Sequence, residues 1–300
     1  FLGLLFGFGL AVLVDLLDTS IKSEDDVAGI AGLVYLGMLP RVHGEKGKKE
    51  AGGADLIVHT DPKSAAAESC RSIRTNLLFA STDQKLETLV VTSPGPREGK
   101  TTTAISVAIA MAQGGSKVLL VDTDLRRPRL HKVFGIPNRE GVTSVLLGQT
   151  ELDDAIKTTD VPNLFLLPSG PTPPNPAEIC QSESFRGLLD DLSGRYDRLL
   201  LDSPPVGIVT DAVILSTLTD GTLLVARAGV TSRAGLQEVY RQIADVGSTV
   251  LGCVLDDLDL ERRGYGRYYG GKRYGYGRYG RYGHSYRYYG EKEEDKATTS

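Results

Sequence analysis

"VVTSPGPREGKTTT", residues 90–103, decides how the rest of the chain is read. It begins as an apolar strand, ends as the opening of a helix, and carries Gly99-Lys100-Thr101 in the turn between. A phosphate-binding loop needs that context. Backbone N–H groups of the loop and helix start surround a phosphate, the lysine reaches the outer phosphates, and the threonine hydroxyl holds Mg²⁺. Pro94 stands where the general pattern has glycine, so the stretch is a variant of that pattern. Gly-Lys-Thr alone is a weak signal, and an ordinary turn with an exposed lysine is the plain alternative. Strand and helix on the correct sides favour a nucleotide site, expected to use Gly95, Glu98, Gly99, Lys100, Thr101 and Thr102.

Outward from the loop, apolar runs alternate with helical stretches. "ETLVVTS", "SKVLLVDTD", "NLFLLPSG", "YDRLLLDSPP", "GTLLVARAG" and "STVLGCVLDD" read as strands. Residues 63–81, 101–115, 176–193, 210–217 and 231–245 read as helices, the first with Ala65, Ile73, Leu77 and Leu78 as inner positions. Strands that are apolar throughout, separated by helices, predict an α/β fold with a doubly wound, mostly parallel sheet covered on both faces. In such a sheet ligands bind at the carboxyl ends of the strands. Two strands end there in acids, one in Asp122 and Asp124, the other in Asp202. A single strand-end aspartate is often only a helix cap. Three beside a phosphate loop supply what phosphoryl transfer needs, a Mg²⁺ ligand and a group to orient or deprotonate the nucleophile.

The ends of the chain differ in kind from this middle. Residues 1–14, "FLGLLFGFGLAVLV", are uncharged and apolar. They are too few for a full span of about 20 residues, and read as the end of a transmembrane helix. Arg41, Lys46, Lys48 and Lys49 follow, which favours a cytoplasmic side for what comes next. Residues 15–62 read as a juxtamembrane segment with a short strand, "LVYLGMLP", and a Gly-rich linker. Residues 63–260 read as the phosphate-loop domain. From residue 261 apolar periodicity stops. Residues 262–290 hold ten of the 13 tyrosines among Gly, Arg and Lys, with no Leu, Ile, Val or acid. Such a tract cannot build a core and is expected to be disordered. Its eight basic residues give it +8, which leaves −12 for the remainder of a chain of net charge −4. Aromatic stacking with Arg contacts would also suit an RNA-binding tail. Three scattered cysteines and four histidines match no zinc spacing.

Taken together, the Asp-x-Asp run with "LRRPRLH", "LLLDSPP", "GPTPPNPAE" and the terminal tyrosine cluster resemble the bacterial tyrosine autokinases of the polysaccharide co-polymerase type. The resemblance covers nearly the whole chain, from the second membrane helix of such proteins to their tyrosine tail. It implies a deviant-Walker ATPase fold, ATP and Mg²⁺, and transfer to the tail of a neighbouring subunit. Lys100 would hold the phosphates. Asp122 would activate the tyrosine hydroxyl, and Thr101, Asp124 and Asp202 would stand on the metal side. Tyr265, Tyr268, Tyr269, Tyr274, Tyr276, Tyr279, Tyr282, Tyr286, Tyr288 and Tyr289 would be the acceptors. "ESCRSIR" matches the family's Glu-x-x-Arg-x-x-Arg helix, which implies a ring-forming interface through Glu68, Arg71 and Arg74. The implied partners are polysaccharide export machinery and a phosphotyrosine phosphatase, at the inner membrane, with no nucleic acid. The family's loop reads Pro-Gly-Glu-Gly-Lys, and here Arg97 takes the place of the first of those glycines, a strained choice if φ is positive. A catalytically weak ATP-binding scaffold is the alternative that this departure suggests.

Overall fold

The computed structural model describes residues 3, 6–9, 18–41, 53, 55–80 and 85–258. The tyrosine tract, most of the expected linker and most of the expected membrane segment lie outside those residues. No helix among the described residues is long and apolar enough to cross a membrane.

The strands are β1 (Tyr35–Pro40), β2 (Thr88–Thr92), β3 (Val118–Asp122), β4 (Lys157–Thr158), β5 (Leu164–Leu167), β6 (Arg198–Asp202), β7 (Gly221–Arg227) and β8 (Val250–Leu258). They form one sheet in the order β1-β8-β7-β2-β6-β3-β5-β4. Every pairing is parallel except β4 with β5. The helices are α1 (Glu24–Ala28), α2 (Ile57–Thr60), α3 (Ala65–Ala80), α4 (Lys100–Gln113), α5 (Leu130–Val133) and α6 (Val142–Leu146). After them come α7 (Leu152–Ala155), α8 (Pro176–Gln181), α9 (Glu183–Ser193), α10 (Asp211–Ser216) and α11 (Arg233–Asp245).

Side chains alternate across a strand, so an all-apolar strand must bury both its faces. The two cores show this directly. Leu89 and Val91, Val118 and Leu120, and Leu200 point to one side, where α3 and α4 bring Cys70, Ile73, Leu77 and the Ala-rich run from Ala104 to Ala112. Val90, Leu119 and Val121, Leu199 and Leu201 point to the other, against Phe185, Leu188, Leu189 and Leu192 of α9 and Leu215 of α10. In α3 the buried stripe runs through Ala66, Cys70, Ile73 and Leu77, whereas Ala65 and Leu78 are exposed. The period of 3.6 places residues 66, 70, 73 and 77 on one line and leaves those two beside it. The helix expected over 176–193 is two helices. Ser182 ends α8, and its hydroxyl accepts the N–H of Phe185 to cap α9.

Residues 18–41 are tied to the same sheet through β1. Ser23 and Asp26 form a capping box on α1, and Ile21, Val27, Ile30 and Leu36 are buried. The N–H of Ile21 donates to Thr231 O at 2.8 Å, and that of Cys253 to Val34 O at 2.8 Å. Gly252, with φ of +152°, lets β1 approach, because a Cβ there would collide with the Val34 carbonyl. Leu36→Ala should therefore cost about 2–4 kcal/mol in a single cooperative urea transition. An unchanged transition would show that β1 is not part of the unit that unfolds.

Candidate nucleotide site

The loop between β2 and α4 sits at the carboxyl edge of the sheet, flanked by β6 and β7. Its conformation is held from within. Glu98 is buried, and its Oε2 accepts the N–H of Gly95 at 2.6 Å while its Oε1 accepts the Thr231 hydroxyl at 2.6 Å. Glu98 therefore offers a ligand its backbone alone, and the Gly95 N–H is taken while that contact lasts. Arg97 has φ of 63° and Gly99 of 88°. The sequence departure at Arg97 thus falls on a left-handed residue, where a Cβ is costly. The Arg97 carbonyl is gripped by Arg227 Nη1 at 2.8 Å. Arg227 also binds Asp257, as does Arg41 at the end of β1. Gly99 allows a second close approach: a Cβ on it would collide with the carboxylate of Asp256.

Three of the expected acids converge beside this loop. Asp122 and Asp202 are register partners across β3 and β6, and both are buried. Asp122 Oδ2 accepts the N–H groups of Arg129 and Leu130 at 3.1 and 3.0 Å. Its Oδ1 and both oxygens of Asp202 are buried with no hydrogen-bond partner among the described residues. Burial, and then the charge of Asp202, hold Asp122 well above the usual carboxylate range. Burial also raises Asp202, to about 6, with Lys100 and Thr101 opposing the shift. Lys100 Nζ lies 3.4 Å from Asp124 Oδ2, and Asp124 Oδ1 takes the N–H of Arg127. The arrangement is a buried, acidic slot with Lys100 in it.

Those orphaned oxygens are hard donors that suit Mg²⁺. Among the described residues no group of three or more acidic, His or Cys side chains could hold a metal by itself. Mg²⁺ fits that limit, because it takes one or two carboxylates and completes its shell with water and phosphate. The three cysteines are free and buried, with thiols pushed up to about 12 by burial. They offer no nucleophile.

Glu68 and Arg71 of the expected interface pair with each other on α3. Arg74 donates to the Ala110 carbonyl of α4 at 2.8 Å. Two residues at the loop, Asp55 and Asp256, were not singled out from sequence. Asp55 accepts Thr102 Oγ1 and Arg129 Nη2, each at 2.6 Å, and Asp256 packs on Gly99. Asp55 has no local signal. Asp256 had one, since it closes the apolar run of β8, as Asp122 and Asp202 close those of β3 and β6.

The chain resembles known proteins throughout this region. Residues 97–252 match a family described as an AAA domain. The tyrosine-protein kinase YwqD of Bacillus subtilis is 39% identical over 218 residues, which are 73% of this chain and 92% of that protein. The chain belongs to the bacterial tyrosine-protein kinases. Among solved structures, the kinase domain of Escherichia coli ETK matches 86% of this chain and all of its own, at 26% identity and a TM-score of 0.74. The cell division ATPase MinD of Pyrococcus furiosus, at 26% identity and a TM-score of 0.50, covers 56% of this chain and 71% of its own. The fold of this kinase is thus that of phosphate-loop ATPases, and a nucleotide is its ligand class.

Two expectations follow from the loop. Arg97→Gly should stabilise the kinase by up to about 1 kcal/mol, because it removes a left-handed side chain and keeps the carbonyl held by Arg227. Urea titration checks it, and a loss would mean the Arg97 side chain contributes more than its strain. Asp256 is the pH-dependent one. Burial, then the charge of Asp257, raise it from 3.8 to about 6. The folded state thus favours the protonated form, whose benefit is complete below 3.8 and lost as pH rises through 6. Asp256→Asn should raise stability by about 2 kcal/mol at pH 7–8 and lose that advantage near pH 4. Thermal unfolding across that range decides it, and a gap that does not change with pH would reject the cause.

Proposed function

We propose that the kinase moves the γ-phosphoryl group of ATP onto the tyrosines between Tyr265 and Tyr289, with the tail of one subunit entering the pocket of another. The observation that carries this reading is the slot itself: Lys100, Asp122, Asp124 and Asp202 converge on one phosphate loop, with three carboxylate oxygens left without partners. Lys100 exchanges its contact with Asp124 for the phosphates and acts as a charge clamp on the group in transfer. Thr101, Asp124 and Asp202 would hold Mg²⁺, which would supply positive charge to the phosphate oxygens.

Asp122 accepts the tyrosine proton at Oδ1, while the N–H groups of Arg129 and Leu130 fix Oδ2 and so aim the free oxygen. A tyrosine hydroxyl ionises near 10 and needs such a base. Burial, and then the charge of Asp202, hold Asp122 well above the usual carboxylate range, and positive charge brought with the nucleotide would favour its base form.

Subunits meet through the α3 face that carries Glu68 and Arg71, and Arg74 steadies α3 on α4. The resemblance extends the proposal to an assembly at the cytoplasmic face of the inner membrane, serving polysaccharide export and opposed by a phosphatase. A catalytically weak scaffold is less favoured, because Arg97, the departure that suggested it, is accommodated with its carbonyl held by Arg227.

Phosphotyrosine mapping after addition of ATP and Mg²⁺ should place the label in the tail. Lys100→Met should lower it by roughly 10²-fold or more without unfolding the domain. Asp122→Asn should do the same while still binding ATP. When Lys100→Met chains are mixed with chains lacking residues 261–300, label should appear on the Lys100→Met tail, and Glu68→Lys in both should abolish it. Label that persists in folded Lys100→Met alone would sink the assignment of this loop.

A further inference from the structure

Asp55 lies on the rim of the phosphate site, where its side chain meets the start of α4 and the segment after β3. Its Oδ1 accepts the hydroxyl of Thr102 at 2.6 Å and its Oδ2 accepts Arg129 Nη2 at 2.6 Å. The carboxylate is largely covered, at 14% exposure, whereas Arg129 is half exposed. Thr102 is the third residue of α4, in the turn whose N–H groups and dipole favour an anion. Arg129 is near enough to the slot for its charge to lower the pKa of Asp202. Asp55 is near enough on the other side to raise that of Asp256, which packs on Gly99.

Two oxygens of one anion therefore take a hydroxyl and a guanidinium that both face the loop. A phosphate group presents the same pair of anionic oxygens to the same kinds of donor. We propose that Asp55 is an internal competitor of the nucleotide: its carboxylate occupies the donors Thr102 and Arg129 that a phosphate would take, and its charge opposes the phosphate's arrival. The proposal rests on the reading of residues 95–102 as a nucleotide loop. It makes Asp55 a determinant of nucleotide affinity that acts against binding, opposite in sign to Lys100.

The carboxylate also gives the Arg129 guanidinium a charged partner when no phosphate is present. It is not needed to hold its own segment in place. Val58 of α2 is buried in the core beside α4, and its carbonyl accepts Gln113 Nε2 at 3.2 Å. Loss of the Asp55 charge should thus leave the packing of α2 intact.

The test is equilibrium titration of parent and Asp55→Asn chains with ATP, ADP and adenosine, at low and high salt. Asp55→Asn keeps the size and one acceptor of the side chain, so it carries the comparison even where Asp55→Ala fails to fold. Its dissociation constants for ATP and ADP should fall by about three- to tenfold, with adenosine unchanged and the gain smaller at high salt. Unchanged or weaker ADP binding would overturn the proposal and make Asp55 neutral or a positioning residue. An equal gain for adenosine would overturn it too, since the effect would then not pass through phosphate. Lys100→Met separates the two readings. If the parent binds ADP and Lys100→Met does not, the loop is a nucleotide site whatever Asp55 does. If the parent binds neither ATP nor ADP, the nucleotide reading fails and this inference fails with it.

Discussion

Two carboxylates, Asp122 and Asp202, lie side by side in the interior on neighbouring strands. Burying one charge without a partner costs several kcal/mol, and burying two like charges costs more. A packed core would not keep them, since apolar side chains in the same positions would be more stable. Their place at the carboxyl edge explains how the fold tolerates them. In a parallel sheet that edge is where the chain leaves each strand for a crossover, so it opens into a crevice rather than closing into hairpins. The sheet below is apolar on both faces and rigid, which fixes the spacing of the two acids. The loop, the lysine and the surrounding arginines are arranged about that fixed pair of acids.

The second constraint is the loop's own backbone. Residues 97 and 99 both have positive φ, and Arg97 is not glycine. Such a conformation persists only where the surroundings over-determine it. Here they do. Arg227 grips the Arg97 carbonyl and shares Asp257 with Arg41. Exposed ion pairs are usually worth little. This one is mostly covered at Asp257, whose carboxyl the Arg41 contact holds below its usual range. It joins the end of β1, the end of β8 and the phosphate loop in one network, so residues 18–41 bear on the site although none of them lines it.

How much of this could be read from sequence follows from how local each signal is. Every strand but the two-residue β4 was legible because each is a short apolar run bounded by turn residues, and three site acids because they lie at the ends of such runs. The split at Ser182 was not, because a serine capping α9 looks like one more polar residue inside a helical pattern. α5, α6 and α7 are four or five residues long, shorter than any window in which a period of 3.6 shows. Asp55 meets partners 47 and 74 residues away, and no spacing rule links such positions. Asp256 ended a legible strand, but its contact with Gly99 depends on the order β8-β7-β2. That order is a property of the folded sheet and leaves no mark on the sequence.

These constraints together limit what in the pocket can respond to a ligand. The loop is held from inside by Glu98 and from outside by Arg227, with Asp256 packed on Gly99. Asp122 is held by two backbone N–H groups on a loop that Thr123 ties to the Asp202 carbonyl. The backbone is thus set before a nucleotide arrives, and reorganisation that would otherwise accompany transfer is avoided. What can change is the pairing of side chains. Lys100 lies at 3.4 Å from Asp124, longer than a strong charge-assisted hydrogen bond, and Thr102 and Arg129 rest on Asp55. On the proposed reading, each of these pairings joins a group that would face phosphate to a carboxylate that stands in its place. Binding is then an exchange of one anion for another on a fixed frame, and its free energy is the difference between two sets of ion pairs. A difference of that kind is small, sensitive to salt, and readily changed by a single charge on the rim.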